Sequence, residues 1–452
     1  MKKYLSLLLL FAITSTAYPA VLSVGIDGSS KKIIPITPDA STGLNSIFVV
    51  NNADGCKLVF TVPDGYKASL YKFSSLGGGY AEEIPNPERS TWTVSIPLPK
   101  EDLGYILEDG SSRYYCWVTN YSNHTMTLQG VYGADTQDCS YSVLNIEGEA
   151  SPIVYYTING QPKTLSREIY LDYTSQEFST EQNDFVTVEQ RKIYESLGKI
   201  LNVSPPAFCN SYFMVSGDRF LREWGEELTA ESGLVEPMAV DCHTEAVQEE
   251  NGDEASNIMH GKENDLGGSA PADISFYAYT TDGVAHFEWQ MSRSQNFDNP
   301  EYRFYQQNLD YTFTDEGTFY LRFVGSNYDG TCEAYGDVYT VSIGASALEC
   351  PNAFSPNDDG VNDVWKVSYR SLIEFHCEIF NRSGQKIFGF DDPSEGWDGT
   401  WHGKKVKPGV YYYVINARGA DGKDYKKSGD INIIRARNLG NSTYNPDSSF
   451  AE

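Results

Sequence analysis

The chain is short of positive charge: 34 Lys and Arg stand against 62 Asp and Glu, for a net charge of −28. Nucleic acid and anionic membrane both repel such a surface, so neither is expected as a partner. Beyond its first residues the sequence also lacks any stretch approaching the ~20 uninterrupted apolar residues that span a bilayer. None of the cysteines (56, 116, 139, 209, 242, 332, 350 and 377) forms a C-x-x-C pair, which argues against zinc and against thioredoxin-like redox chemistry. The histidines at 124, 243, 260, 286, 376 and 402 have no H-E-x-x-H or triad-like context. There is no G-x-S-x-G, no phosphate loop and no dinucleotide fingerprint. Adjacent acids such as Glu226 and Glu227 face opposite ways on a strand, so they cannot act as the facing carboxylates of a glycosidase. No enzyme is expected, and no catalytic residue is assigned.

What is present begins with "MKKYLSLLLLFAITSTA", residues 1–17: two lysines, an apolar run, then Ser15 and Ala17 at the −3 and −1 positions. This reads as a secretory signal peptide with a core too short to cross a bilayer. Export makes the cysteines disulfide candidates. Cys56 and Cys116 would close a loop worth roughly 4 kcal/mol in the chain-entropy model. Cys209–Cys242 and Cys139–Cys242 stand as alternatives for a further bond.

Short runs rich in Val, Ile, Tyr, Thr and Phe alternate with Gly, Asn, Asp and Pro clusters, as in "CKLVFTV", "STWTVSIPL", "TFYLRFVGS" and "VYYYVINA". Such spacing predicts an all-β chain of tandem immunoglobulin-like or PKD-like β-sandwiches. The first is expected over 18–148, with Tyr114, two residues before Cys116, as a tyrosine corner bonding to nearby backbone. A less regular immunoglobulin-like domain is expected over 149–244. Within it Val188, Ile193, Leu197 and Leu201 suggest a short helix. Residues 245–268 are acidic and poor in aromatics, the composition of a linker, and a PKD/Ig-like domain is expected over 269–346. Charge marks off the rest. Residues 1–350 hold 21 Lys and Arg against 48 Asp and Glu, whereas 351–437 hold 13 against 12. A separate C-terminal module over 347–437 follows, with a flexible tail over 438–452.

The C-terminal module opens "PNAFSPNDDGVND" (351–363), continues with "IFNRSG" (379–384), "GWDG" (396–399) and "GKKVKPGVYYY" (403–413), and closes on "INIIR" (431–435). This ordered set resembles the gliding-motility-associated C-terminal domain, the type B sorting domain of type IX secretion. The residues that carry the resemblance are Pro351, Asn352, Phe354, Pro356, Asn357, Gly360, Asn362, Asn381, Arg382, Gly384, Trp397, Asp398, Gly399, Gly409 and Tyr411. The resemblance implies a β-sandwich sorting module, transport across the outer membrane and docking to a SprF/PorP-type outer-membrane barrel. Cys350 and Cys377 would join the module's first and third strands.

The acidic opening admits a second reading. Ser355, Asn357 and Asp359 alternate before Gly360 as in a calcium loop, yet the twelfth position is Lys366 rather than a bidentate Glu. Asn357, Asp359 and Asp363 are the candidate calcium ligands; a turn satisfied by its own side chains is the simpler account. Aromatic clusters at Tyr114-Tyr115, Tyr411–Tyr413 and Trp397 with Trp401 are expected to pack in cores, with glycan stacking as the alternative. Two functions remain: a fixed subunit of the secretion or attachment machinery, or a surface adhesin that binds a host or surface glycan or protein.

Overall fold

The computed structural model describes residues 23–434 apart from 28–31, 77–79, 111, 227, 249–257 and 259–265. The expected signal peptide and flexible tail lie outside the described residues, as does most of the expected linker. Strands account for nearly all of the regular structure. Among the described residues one α-helix, Arg219–Trp224, accompanies two short 3-10 turns, and no described helix is long and apolar enough to cross a membrane. The chain divides into two compact units. One holds residues up to 175 with 188–235, and the other holds 176–187 with the chain from 236 onward.

The first unit starts with a sandwich. A four-stranded sheet contains Lys57–Thr61 at its centre, and a six-stranded sheet contains Ser46–Val50 and Ser112–Asn120 paired in parallel. Alternate residues Leu58, Phe60, Val94, Leu107 and Val118 point inward and are buried, as a half-buried pleat requires. This sandwich ends near Asn120 rather than at 148. Met126, Leu128, Leu144 and Ile146 instead share a core with Ile169, Leu171, Phe213 and Val215 of the next domain. The 3-10 turn Tyr121–Asn123 follows the strand Ser112–Asn120 and leads the chain into the next domain.

The segment expected to be helical instead holds most of the strand Asp184–Tyr194, whose alternating half-exposed and exposed residues follow a period of two, and the start of the strand Ile200–Val203. Tyr114 does not bond to nearby backbone; its hydroxyl meets Ser46 Oγ, 3.3 Å away on the neighbouring strand. The cysteines also differ. Cys56 and Cys116 are both reduced and lie in one core, where the Cys56 thiol faces the Asn52 carbonyl at 3.5 Å. Cys242 is likewise a thiol, so neither alternative bond through it is formed.

In the second unit, a sandwich packs the strands Cys242–Gln248, Ala272–Thr280 and Leu309–Phe313 against a larger sheet centred on Gly317–Ser326. Trp289, Phe276 and Phe323 fill its middle. The ends of the expected linker are strands of this same sandwich: Cys242–Gln248 pairs with Ala272–Thr280, and Leu266–Gly268 pairs with Tyr339–Ile343. Both described ends of the expected linker therefore belong to one domain. The hairpin tip 176–187 also belongs to this unit. Gln176 exchanges two bonds with Asp282, and the Phe178 ring lies 3.8 Å from that of His243.

The C-terminal module is a five-stranded sheet in the order Ala353–Phe354, Asp424–Ile433, Gly409–Gly419, Leu372–Phe380, Lys386–Phe390. Two short two-stranded ladders, Ala347–Glu349 with Ser368–Arg370 and Thr400–Trp401 with Lys404–Lys405, accompany it. Its core is built on Trp365, Trp397, Ile379, Ile415 and Ile431, all buried.

Candidate functional site

The residues that single out the module are mostly scaffold. Asp363 shows how the opening loop is made. Its Oδ1 accepts the backbone N–H groups of Asn357 and Asp358, both at 2.7 Å, and its Oδ2 accepts that of Gly360 at 2.7 Å. Burial opposes the charge, but these three donors hold the Asp363 carboxyl below its ordinary range. Gly360 and Asn362 carry positive φ, which glycine and asparagine accommodate most readily. Asn357 and Asp359 bond to one another, at 2.8 Å between side chains. The three calcium candidates thus spend oxygens on the loop itself. Among the described residues no group of three or more His, Cys, Asp or Glu is placed to hold a metal ion. The opening loop is a self-satisfied turn.

The other motif residues act in the same way. Asn381 caps the hairpin between two strands: its Oδ1 accepts from Ser383 N and Gln385 N at 3.0 Å each, and Gly384 supplies the positive φ. Asp398 Oδ1 accepts from Thr400 N at 2.9 Å. Trp397 is fully buried, donates to the Thr400 carbonyl at 2.9 Å, and packs edge-on to Tyr411 at 5.1 Å and against Phe354 at 5.6 Å. Trp365 donates to the Pro351 carbonyl at 2.7 Å, and Asn352 accepts from Asn432 N at 2.9 Å. Pro356 and Phe354 abut Gly399, where a Cβ would come within 3.1 Å of Pro356. Gly409 opens the long strand at positive φ. Of this set, Arg382 is exposed with no partner.

Cys350 and Cys377 share the module's core as thiols, so the expected bond between them is absent. Burial pushes Cys377 up to about 12, with Cys350 as a further cause, and the Tyr413 hydroxyl engages the Cys350 thiol. Neither thiol is a nucleophile in this setting.

Sequence reasoning missed the seam that joins the module to the sandwich before it. Ser371, fully buried at φ +51°, stands at its centre. Its hydroxyl donates to the Gly344 carbonyl at 2.6 Å and accepts from Ala270 N at 3.2 Å. Its N–H donates to Ser269 Oγ at 2.8 Å, and its carbonyl accepts from Ala420 N at 2.9 Å. Beside it, Ser346 donates to Asp421 Oδ1 at 2.7 Å and meets the Tyr425 hydroxyl at 2.8 Å. Gly419 permits this approach, since a Cβ there would fall 2.2 Å from Ser346 Oγ. Residues 344–350 are consequently pinned rather than loose.

Residues 348–433 match the CHU_C type IX secretion signal domain, and residues 131–232 match a fibronectin type III domain. The C-terminal module is a type IX secretion signal domain. Such a signal implies export with cell-surface or outer-membrane association, and the domains ahead of it are of a surface type that is typically non-catalytic. No curated protein matches the chain by sequence. Among solved structures it is similar to a tetra-tandem repeat from the extending region of a large adhesion protein, at 11% identity and a TM-score of 0.20, covering 85% of this chain and 96% of that one. It is similar also to a bacterial ice-binding adhesin, at 9% identity and a TM-score of 0.20, covering 69% and 99%. Dimeric latent PorU from Porphyromonas gingivalis gives 10% identity and a TM-score of 0.15 over 72% of this chain and 35% of that one.

Proposed function

We propose that this is a non-enzymatic protein of the type IX apparatus that docks through its C-terminal signal domain to a SprF/PorP-type outer-membrane barrel, as a subunit of the secretion or attachment machinery. The observation that carries this reading is the seam. A signal domain meant only as an address can hang on a loose linker, whereas this one is joined through Ser371, Ser346 and Asp421 to the domain before it. A rigid joint suits a part that must hold its neighbours in a fixed pose. The test is isolation of the tagged chain from solubilised outer membranes beside a version ending at Ile343. Recovery of a barrel protein by the complete chain alone, with general loss of secretion on truncation, is the expected result. Recovery of the protein by itself, with other cargo still exported, would sink the subunit reading.

The adhesin reading is favoured by a different observation. In the first sandwich, Tyr66 and Trp92 are 66% and 63% exposed on adjoining turns that are bonded through Gly65 N to the Thr91 carbonyl at 3.0 Å. Exposed aromatic pairs of this kind suit a glycan or protein ligand. Glycan-array binding lost in Trp92→Ala would support it.

A further inference from the structure

Three residues, 344–346, connect the last strand of the sandwich, Tyr339–Ile343, to the first strand of the signal domain, Ala347–Glu349. From 341 through 348 no residue is exposed, and Glu349 is the first that is. Each of the three connecting residues is held through its backbone. Gly344 donates its N–H to the Gly268 carbonyl at 3.0 Å and takes the Ser371 hydroxyl on its own carbonyl at 2.6 Å. The Ala345 carbonyl accepts Arg370 Nε at 2.8 Å. The Ser346 N–H donates to Asp421 Oδ2 at 3.2 Å, and its hydroxyl is fixed between Asp421 Oδ1 and the Tyr425 hydroxyl. Beyond them, Ala347–Glu349 pairs with Ser368–Arg370, and Lys427 Nζ donates to the Leu348 carbonyl.

A secretion signal that is discarded after use must be joined by chain that a protease can enter. Cutting needs an exposed segment with its backbone free, or a local opening that supplies one. The joint supplies neither. Nothing before Glu349 is exposed, and freeing the connection breaks the bonds of Gly344, Ala345 and Ser346 together. The next run of exposed residues is 357–362, inside the signal domain. A cut there releases nothing. On its amino-terminal side Ala353 and Phe354 are paired with Asn432 and Ile433, and Ala347–Glu349 is paired with Ser368–Arg370.

We infer that the signal domain is a permanent part of the mature protein, retained after export because its joint to the preceding sandwich excludes processing proteases. The inference goes beyond the docking reading and does not depend on it, since a machinery subunit and an adhesin would keep the domain alike. Retention also serves the sandwich. The Ser371 hydroxyl satisfies both the Gly344 carbonyl and the Ala270 N–H, so removal of the signal domain would strand two polar groups at the sandwich's end.

The test has two arms. The first recovers the complete chain from its own cells and reads its carboxyl end by intact mass and peptide mapping. The expected chain still carries the signal domain, with an uncut peptide running through 344–350. A mature chain that ends anywhere before the strand Gly409–Gly419 overturns the inference. The second arm exposes the purified complete chain to a glutamate-specific protease, which can cut after Glu349. The native bond should resist, and Ser371→Ala should be cut there about tenfold faster, because cleavage follows the population of the opened joint. Asp421→Asn, which leaves Ser346 one of its two carboxylate acceptors, should act in the same direction by a smaller factor and serves where Ser371→Ala does not fold. Rapid cutting after Glu349 in the native chain, or equal rates in native and variant chains, overturns the joint as the cause. Retention of the domain without recovery of a barrel counts against the docking reading alone and leaves this inference standing.

Discussion

Each compact unit joins two domains, and the two joints are built from opposite materials. In the first unit the joint is a core. Trp117, Tyr121, Phe220 and Trp224 cluster with Ile47, Val49 and Ile153, and the rings of Tyr121 and Trp224 meet edge-on at 5.0 Å. Inside it lies an ion pair that is fully shielded from solvent: Arg167 reaches Asp218 at 2.7 Å and also donates to the Ser151 and His124 carbonyls at 2.6 Å each. In the second unit the joint is a lattice of serines and backbone amides around Ser371. An apolar joint gains free energy in proportion to buried area and tolerates small shifts. A joint of directed hydrogen bonds gains little net free energy but penalises any change of pose, because a shifted donor is left unsatisfied. The first joint holds two domains together, whereas the second fixes their relative orientation.

The largest effect is expected where the ion pair is cut. Arg167→Ala would leave the Asp218 carboxylate buried without its counter-charge and should cost the first unit about 3–5 kcal/mol. Urea unfolding that shows a loss below 1 kcal/mol would mean that the pair is dispensable and that the apolar cluster alone makes the joint.

Ser371→Ala should cost less, about 1–3 kcal/mol, because it strands the Gly344 carbonyl and the Ala270 N–H without introducing a bare charge. Its effect should fall on the second unit, read as faster hydrogen exchange along 344–350 and around Ala270. Equal destabilisation of both units would contradict the division of roles drawn here.

The smallest effect is expected at the exposed loop. Asp363→Asn should speed amide exchange at Asn357, Asp358 and Gly360 without moving either unfolding transition. The native protein should show the same loss in acid. Because the folded carboxyl lies below its ordinary 3.8, its contribution is complete above that value and disappears as pH falls through the lower folded one. Protection that persists well below that range would show that other bonds hold the loop.

Much of this was legible in the sequence, for local reasons. Turns declare themselves through short-range chemistry, so Asn381 with Gly384 and Asp398 with Thr400 mark hairpins that need no tertiary information. Core strands such as "CKLVFTV" declare themselves through alternation. The seam did not, because Ser371 is an ordinary serine in sequence and its importance comes from Gly344, Ala270 and Ala420 arriving from distant segments. Val188, Ile193, Leu197 and Leu201 fall near helical spacing, yet the first two lie in the strand Asp184–Tyr194 and Leu201 in Ile200–Val203, where pairing neighbours decide the period. The first domain boundary was misplaced for a related reason: strands on either side of Tyr121 look alike, and only the shared core assigns Thr127–Glu149 to the second domain.

The parallel pairing of Ala353 with Asn432 and Phe354 with Ile433 has a consequence in time. The strand that opens the module's sheet has no partner until the chain some eighty residues later is available. A polypeptide that emerges amino-terminus first therefore completes its preceding sandwich while the signal domain is still open. Closure waits on a long-range contact, the slow kind. The interval between those two events is when the acidic opening loop, already self-bonded, stands beside an unfinished sheet edge.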